Sequence, residues 1–140
     1  MKKLFTILLF AVATTIAFGQ PIQRTMVVQE IGTGTWCTYC PGAAMGADDL
    51  ITNGCAVAVI EYHNGDAFTN NASDARNNYY GITGFPTAFF DGLLSFVGGS
   101  HTVSMYSTYL PLYNQRHAVP SPLAIDISGT NSGNTYNITL

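Results

Sequence analysis

Two short segments of the chain hold the residues whose types and spacing could carry chemistry. The first is Trp36-Cys37-Thr38-Tyr39-Cys40, with two thiols three positions apart, and the second is Gly84-Phe85-Pro86-Thr87. Residues three apart share one face of a helix, so the two sulfurs can form a disulfide and release it again. If Cys37 lies at the helix start, unpaired amides and the helix dipole favour its reactive thiolate. A Phe-Pro bond can be held cis, and we predict that the two segments form one thiol–disulfide site.

The other cysteine and one histidine leave alternatives open. Cys37 and Cys40 would also serve as an inert structural disulfide or as half of a metal site. Cys55 opens an apolar run and is predicted to be an unpaired core thiol, although with His63 and the first two cysteines it would complete a zinc or copper site. His63 follows a predicted strand end, where it could tune the sulfurs, or it could simply bond Asp66 in a turn.

The first residues predict export. Two lysines precede an apolar run from Leu4 to Ala17, and small residues follow at Ala17 and Gly19. This pattern is typical of a secretory signal peptide, which we place at residues 1–19. We expect the rest to divide into a domain over residues 20–118 and, at residues 119–140, a linker and the start of a truncated β-domain. We expect the protein in the periplasm, at the outer membrane or secreted, with no transmembrane segment in the mature chain.

Charge and composition exclude several classes of function. After the predicted cleavage, three arginines and no lysine remain against eight acidic residues, which gives a net charge of −5. A cationic surface for nucleic acid is therefore not expected, and a lysine nucleophile is excluded. We see no motif that implies a bound cofactor.

Hydrophobic patterning predicts an α/β domain with a short β-hairpin tail. The apolar run from Cys55 to Tyr62 is typical of a central parallel strand covered on both faces. Asp91-Gly92 between two apolar runs predicts a hairpin. In order, we expect strand 25–31, helix 41–51, strand 55–62, helix 73–80 capped by Ser73, strands 87–90 and 93–97, helix 101–117 with a kink at Pro111, and a hairpin that pairs residues 123–127 with 136–140.

At these residues the chain resembles the thioredoxin-like superfamily, over about residues 25–117. The resemblance implies a three-layer α/β/α sandwich with a mixed sheet. It implies that Cys37 attacks a substrate disulfide, that Cys40 resolves the mixed disulfide, and that a cis Pro86 keeps metal off the thiols. The backbone of Phe85 would pair with a bound peptide, and Trp36 would shape the groove. A narrower resemblance is to exported thioredoxin-like proteins of Gram-negative bacteria related to outer-membrane proteins, through Tyr62-His63-Asn64-Gly65-Asp66 and Tyr79 to Thr87.

One position departs from the superfamily pattern. Thioredoxins usually keep a buried acid six residues before the first cysteine, and this chain has Ile31 there. Glu30 is its neighbour, but adjacent strand residues face opposite sides of a sheet. Our hypothesis is an exported protein that exchanges disulfides with protein or peptide thiols. The alternatives are a surface or secreted interaction module with a static disulfide and, third, a metal-binding domain.

Overall fold

The computed structural model describes residues 21–139, and the predicted signal peptide lies outside them. Within this range no helix is long and apolar enough to cross a membrane. The elements are β1 (Val27–Thr33), α1 (Cys40–Thr52), β2 (Val57–His63), α2 (Asn71–Tyr79), β3 (Thr87–Phe90), β4 (Leu94–Val97), α3 (Tyr106–His117), β5 (Ser128–Ser132) and β6 (Thr135–Thr139).

The main sheet is mixed and has the strand order β2-β1-β3-β4. β1 and β2 are parallel, whereas β3 is antiparallel to both β1 and β4. Helices α1 and α3 pack together against one face, and α2 covers part of the other through an ion pair between Arg76 and Glu30. These layers confirm the predicted thioredoxin-like α/β architecture, and the antiparallel pair β5-β6 is the predicted hairpin tail.

The core lies between the sheet and the helices α1 and α3. Alternate residues of β1 face opposite sides, so Ile31 contributes to this core while Glu30 faces α2. Leu50 of α1 and Phe90 of β3 are fully buried beside Tyr109 of α3, whose ring meets the Phe90 ring edge-on at 5.6 Å. Full burial of a side chain of this size stabilises the fold by about 1.5–3 kcal/mol, so these contacts fix the β1–α1 unit that carries the cysteines.

The position of β2 corrects a prediction. The apolar run from Cys55 predicts a central strand, but β2 lies at the edge of the sheet and pairs only with β1 among the described residues. Its apolar composition has another cause: Val57 and Val59 pack on the core, while Ile60 on the opposite face is 43% exposed. Continuous hydrophobicity therefore does not distinguish a central strand from this edge strand.

Helices α2 and α3 begin at residues other than the predicted ones. α2 begins at Asn71, because the Asn70 side chain accepts hydrogen bonds from two amides of the first turn and Ser73 completes a capping box. α3 begins at Tyr106 and not at His101, since the preceding loop is held against α1 by the bonds of Gly42 with Ser100 and Met105.

The apolar face of α3 largely agrees with prediction, and the helix tolerates its internal proline. Helical spacing predicts one apolar face made of Val103, Tyr106, Leu110 and Tyr113. The last three lie in α3 and pack on the core beside the fully buried Tyr109, whereas Val103 precedes the helix and is 64% exposed. Pro111 lies inside α3 on its exposed side. The helix therefore contacts the core through its tyrosines and through Leu110 and Leu112.

The two predicted hairpins have different outcomes. Asp91 and Gly92 have φ angles of 51° and 67°, so a left-handed turn joins β3 to β4 as predicted. In the tail, β5 covers 128–132 and not 123–127, because the turn forms around Gly133 with φ 57°. Every described residue of β5 and β6 is exposed.

Candidate functional site

The two cysteines of the motif form a disulfide in the turn between β1 and α1. The Cys37 and Cys40 sulfurs are 2.11 Å apart and their Cα atoms 5.4 Å apart. Cys40 is the first residue of α1, and Cys37 precedes it in a turn closed by the bond from its N–H to the Gly34 carbonyl. Both residues are less than a tenth exposed. The spacing therefore brings the sulfurs together as predicted, with Cys37 outside the helix.

The first turn of α1 offers fewer free amides than expected. The Cys40 N–H donates to the Cys37 carbonyl at 3.3 Å, Pro41 has no N–H, and the Gly42 N–H donates to a loop carbonyl at 2.7 Å. The helix positions that would stabilise a Cys37 thiolate are thus already engaged. Among the described residues, the amides of Thr38–Tyr39 have no partner, so donors near the cysteines come from the turn and not from the helix.

Pro86 lies next to the cysteine turn, and its peptide bond with Phe85 is cis. A Cβ built on Gly99 would overlap the carbonyl oxygen of Tyr39 and lie 2.8 Å from Cγ of Pro86. Gly99 therefore fills the narrow space between the proline ring and the turn. The proline is buried, and its carbonyl accepts a bond from the Gly98 N–H at 2.8 Å.

Aromatic side chains border the site on the side of Pro86. Trp36 is 54% exposed, and its ring meets the Phe85 ring edge-on at 5.4 Å. Its indole N–H donates to the Asn64 carbonyl at 2.6 Å, which fixes the ring orientation. The structure thus brings three predicted residues, Trp36, Phe85 and Pro86, to the cysteine turn.

Asp66 ties the turn to the loop that follows β2. Its side chain accepts bonds from the Thr35 amide at 2.8 Å, the Phe68 amide at 2.9 Å and Nδ1 of His63 at 2.7 Å. Burial by itself would raise the pKa of Asp66, but the His63 bond and the two amide bonds hold that pKa well below its ordinary value. The carboxylate is therefore a charged structural link, and His63 makes the bond with Asp66 that the plainer interpretation predicts.

A shallow pocket of about 210 Å³ borders the disulfide. Cys37 and Cys40 line it, together with His63 and Glu61 from β2. His63 therefore borders the same pocket as the cysteines, and Glu61 is a candidate that the sequence reasoning missed. The signal was present: Glu61 lies two residues before His63, and residues two apart share a strand face.

Glu30 and Ile31 lie as the strand alternation predicts. Ile31 is fully buried in the core, and Glu30 faces α2. Arg76 binds the Glu30 carboxylate at 2.6 Å and 3.0 Å through two nitrogens, and the hydroxyls of Tyr62 and Tyr80 donate to it as well. Burial would raise the pKa of Glu30, but the bonds from Arg76, Tyr80 and Tyr62 lower it. Glu30 is thereby engaged away from the cysteines.

The four-ligand metal set does not form. Cys55 precedes β2 and His63 ends it, and a seven-residue strand spans about 20 Å. Within residues 21–139 no group of three or more histidine, cysteine or acidic side chains is placed to hold a metal ion. Cys55 is half-buried against the core, and burial raises the pKa of its thiol.

Fold and site together define an α/β protein of thioredoxin-like architecture with a cysteine pair at disulfide distance. A thioredoxin of Malassezia sympodialis, Mala s 13, aligns with TM-score 0.48 and 19% identity over 72% of this chain and 84% of that one. A structure described as a malarial protein aligns with TM-score 0.45 and 17% identity over 67% of this chain and 99% of that one. No protein-family model matches the chain, and no curated protein matches it.

Proposed function

We propose that this protein is an exported thiol–disulfide oxidoreductase that acts on peptide or protein substrates. The observation that carries the proposal is the Cys37–Cys40 disulfide, which lines a pocket, together with the Trp36–Phe85 ring contact and the cis Phe85–Pro86 peptide beside the cysteine turn. In the reducing direction, the Cys37 thiolate attacks a substrate disulfide and expels one substrate thiolate. The Cys40 sulfur then attacks Cys37, and the second substrate thiolate leaves. The substrate gains two electrons and the cysteine pair loses them.

The backbone at Phe85 supports peptide binding. Its N–H and C=O have no hydrogen-bond partner among the described residues, and β3 begins two residues later. An extended peptide can pair with such free backbone groups. The half-exposed Trp36 ring would then contact the substrate side chain next to the sulfur.

Export and the narrower relationship belong to the same proposal. The amino-terminal pattern at residues 1–19 supports secretion to the periplasm, the outer membrane or the medium. The run from Tyr62 to Asp66 supports kinship with the exported thioredoxin-like proteins related to outer-membrane proteins. In this chain that run supplies the bonds that hold the cysteine turn.

A trapping experiment tests the exchange. In a Cys55→Ala background, the Cys40→Ser variant should retain a mixed disulfide between Cys37 and a substrate peptide, because no second thiol resolves it. The parent should reduce insulin disulfides in the presence of a dithiol, and the Cys37→Ser variant should do neither. A Cys40→Ser protein that traps no peptide, with a parent that does not reduce insulin, would refute the proposal.

A second candidate is a secreted interaction module with a static disulfide. Two observations favour it: the amides of the first α1 turn are already bonded, and Ile31 replaces the buried acid. In that case the Cys37–Cys40 bond would resist dithiol concentrations that reduce substrate-type disulfides, and removing it would lower the unfolding temperature without any loss of turnover.

A further inference from the structure

We infer that Glu61 is the proton-transfer group for Cys40, supplied by β2 in place of the acid that β1 lacks. The inference rests on the proposed function and assigns a new residue to it. Disulfide exchange requires Cys40 to lose its proton before it attacks, and the same proton must return in the reverse direction. Ile31 cannot carry that proton, and Glu30 is engaged by Arg76.

The sheet register places Glu61 at the missing position. Ile31 of β1 pairs with Glu61 of the parallel neighbour β2. Partners in this register share a sheet face, so both side chains lie on the side of α1 and α3. The alternation of β2 agrees, since Val59 and His63 lie on that face and Tyr62 lies on the other.

Glu61 and the cysteines share one pocket. Glu61 and Cys40 both line the pocket of about 210 Å³, which opens to solvent. Glu61 is exposed, so a proton taken from Cys40 can pass to water. Burial raises the pKa of Tyr109, and the negative charge of Glu61 raises it further, in agreement with the register that puts Glu61 on the face of α1 and α3.

The step is balanced. The Glu61 carboxylate takes the Cys40 proton while the Cys40 sulfur attacks the Cys37 sulfur of the mixed disulfide. The Cys37–Cys40 bond forms, the bond from Cys37 to the substrate breaks, and the substrate sulfur leaves as a thiolate. The proton then passes from Glu61 through the open pocket to solvent or to that thiolate.

The experiment measures the attack by Cys37 and the resolution by Cys40 as two separate rates. Reduced protein, carrying Cys55→Ala so that only two thiols react, is mixed with one equivalent of 5,5′-dithiobis(2-nitrobenzoate). Attack by Cys37 releases one equivalent of chromophore in a phase that depends on reagent concentration. Resolution by Cys40 releases the second in a phase that does not. Both rates are followed from pH 5 to pH 9.

Glu61→Gln should slow the second phase about tenfold near neutral pH and leave the first unchanged. General base catalysis typically contributes about 10²–10⁴-fold, and we expect less because water also reaches this pocket. The second phase of the variant should rise with pH more steeply than that of the parent, and the two should converge at high pH. Glu61→Asp should recover part of the rate. Asp48→Asn is the control, since Asp48 is an exposed acid of α1 outside the pocket.

The groups that face Glu61 define the competing outcomes. They are His63 on its own strand, Cys37 in the turn before α1, Cys40 at the start of α1, and Tyr109 on α3. An unchanged or faster second phase in Glu61→Gln would overturn the inference, as would equal slowing by Asp48→Asn. Slowing by His63→Gln alone would overturn it too, because it would assign the proton to the imidazole.

Failure of the proposed function has a different signature. A parent protein that releases only one equivalent of chromophore has no resolving cysteine, so the exchange mechanism itself fails. A parent that releases two equivalents, at a second-phase rate that Glu61→Gln does not alter, retains the exchange function and refutes only the role of Glu61.

Discussion

Replacing Arg76 with methionine should destabilise the protein by isolating a buried carboxylate. The Glu30 side chain is 6% exposed and receives two bonds from the Arg76 guanidinium, which also lies over the rings of Tyr79 and Tyr80 at 5.0 and 4.7 Å. This ion pair joins α2 to β1 across the sheet face opposite α1. Methionine retains much of the side-chain volume and removes the charge, so the substitution tests the pair and not the packing.

The expected cost is about 2–3 kcal/mol. Removal of one partner from a buried ion pair typically costs about 3–5 kcal/mol. Two facts reduce that figure here: the Arg76 side chain is 38% exposed, so water screens part of the attraction, and the hydroxyls of Tyr62 and Tyr80 still donate to Glu30. For a domain of this size the loss corresponds to roughly 8–12 °C in the unfolding temperature.

Urea denaturation of the parent, Arg76→Met, Glu30→Met and the double variant measures the coupling. The double variant should lie within about 1 kcal/mol of the parent, because an apolar pair of similar volume carries no desolvated charge. Exposed Asp74 of α2 supplies a control, as Asp74→Ala should change the unfolding free energy by less than about 0.5 kcal/mol. A double variant as unstable as Arg76→Met would refute the reasoning, since the loss would then come from packing.

Acid should diminish the effect of Arg76→Met. The folded-state pKa of Glu30 is lowered, so its contribution is present above the unfolded pKa, about 4.3, and is lost as pH falls through the folded value. Without Arg76, burial raises that pKa, and protonation then favours the folded variant. The difference in unfolding free energy between the two proteins should therefore shrink from pH 7 toward pH 4. A constant difference over this range would contradict the assignment to the ionised carboxylate.

Three further substitutions test the site and the core. Gly99→Ala would place a methyl group 2.8 Å from the Pro86 ring, so we expect slower reaction of the cysteines with a disulfide reagent; an unchanged rate would show that this spacing has no role. Asp66→Asn removes the charged acceptor of the turn, and emission of Trp36, the single tryptophan, should shift to longer wavelength. Gln29→Met should raise the unfolding free energy by about 1 kcal/mol, because both buried amide atoms lack partners among the described residues; a decrease would reveal a hydrogen-bond partner for that amide.

Local signals predicted the elements whose geometry depends on neighbouring residues. The Asp91-Gly92 turn requires left-handed φ angles, and these residue types adopt them readily. The alternation that placed Ile31 in the core and Glu30 away from it follows from strand geometry alone. Local signals could not predict the edge position of β2. Strand order depends on which other segments pair in the sheet, and an apolar run carries no information on strand order.

The sequence predicted the disulfide of the candidate site, but it did not predict all the contacts around that disulfide. The spacing of Cys37 and Cys40 sufficed for the disulfide, but the hydrogen bonding of the α1 amides depends on Pro41 and on Ser100, 58 residues after Gly42, whose carbonyl accepts the Gly42 N–H. The spacing of Glu61 from His63 indicated a shared strand face, but the pairing of Glu61 with Ile31 depends on the register between β1 and β2. A motif of contiguous residues does not encode a register.

The proposed proton transfer depends on the edge position of β2. In a central strand, a carboxylate at the position of Glu61 would be covered on both sides and would need a partner of its own, as Glu30 needs Arg76. At the edge, Glu61 lines the cysteine pocket on one side and reaches water on the other. An acid that is hydrated can load and release a proton at each turnover without a buried charge. The proposed exchange without an acid at position 31 therefore depends on β2 being the outer strand of the sheet among residues 21–139.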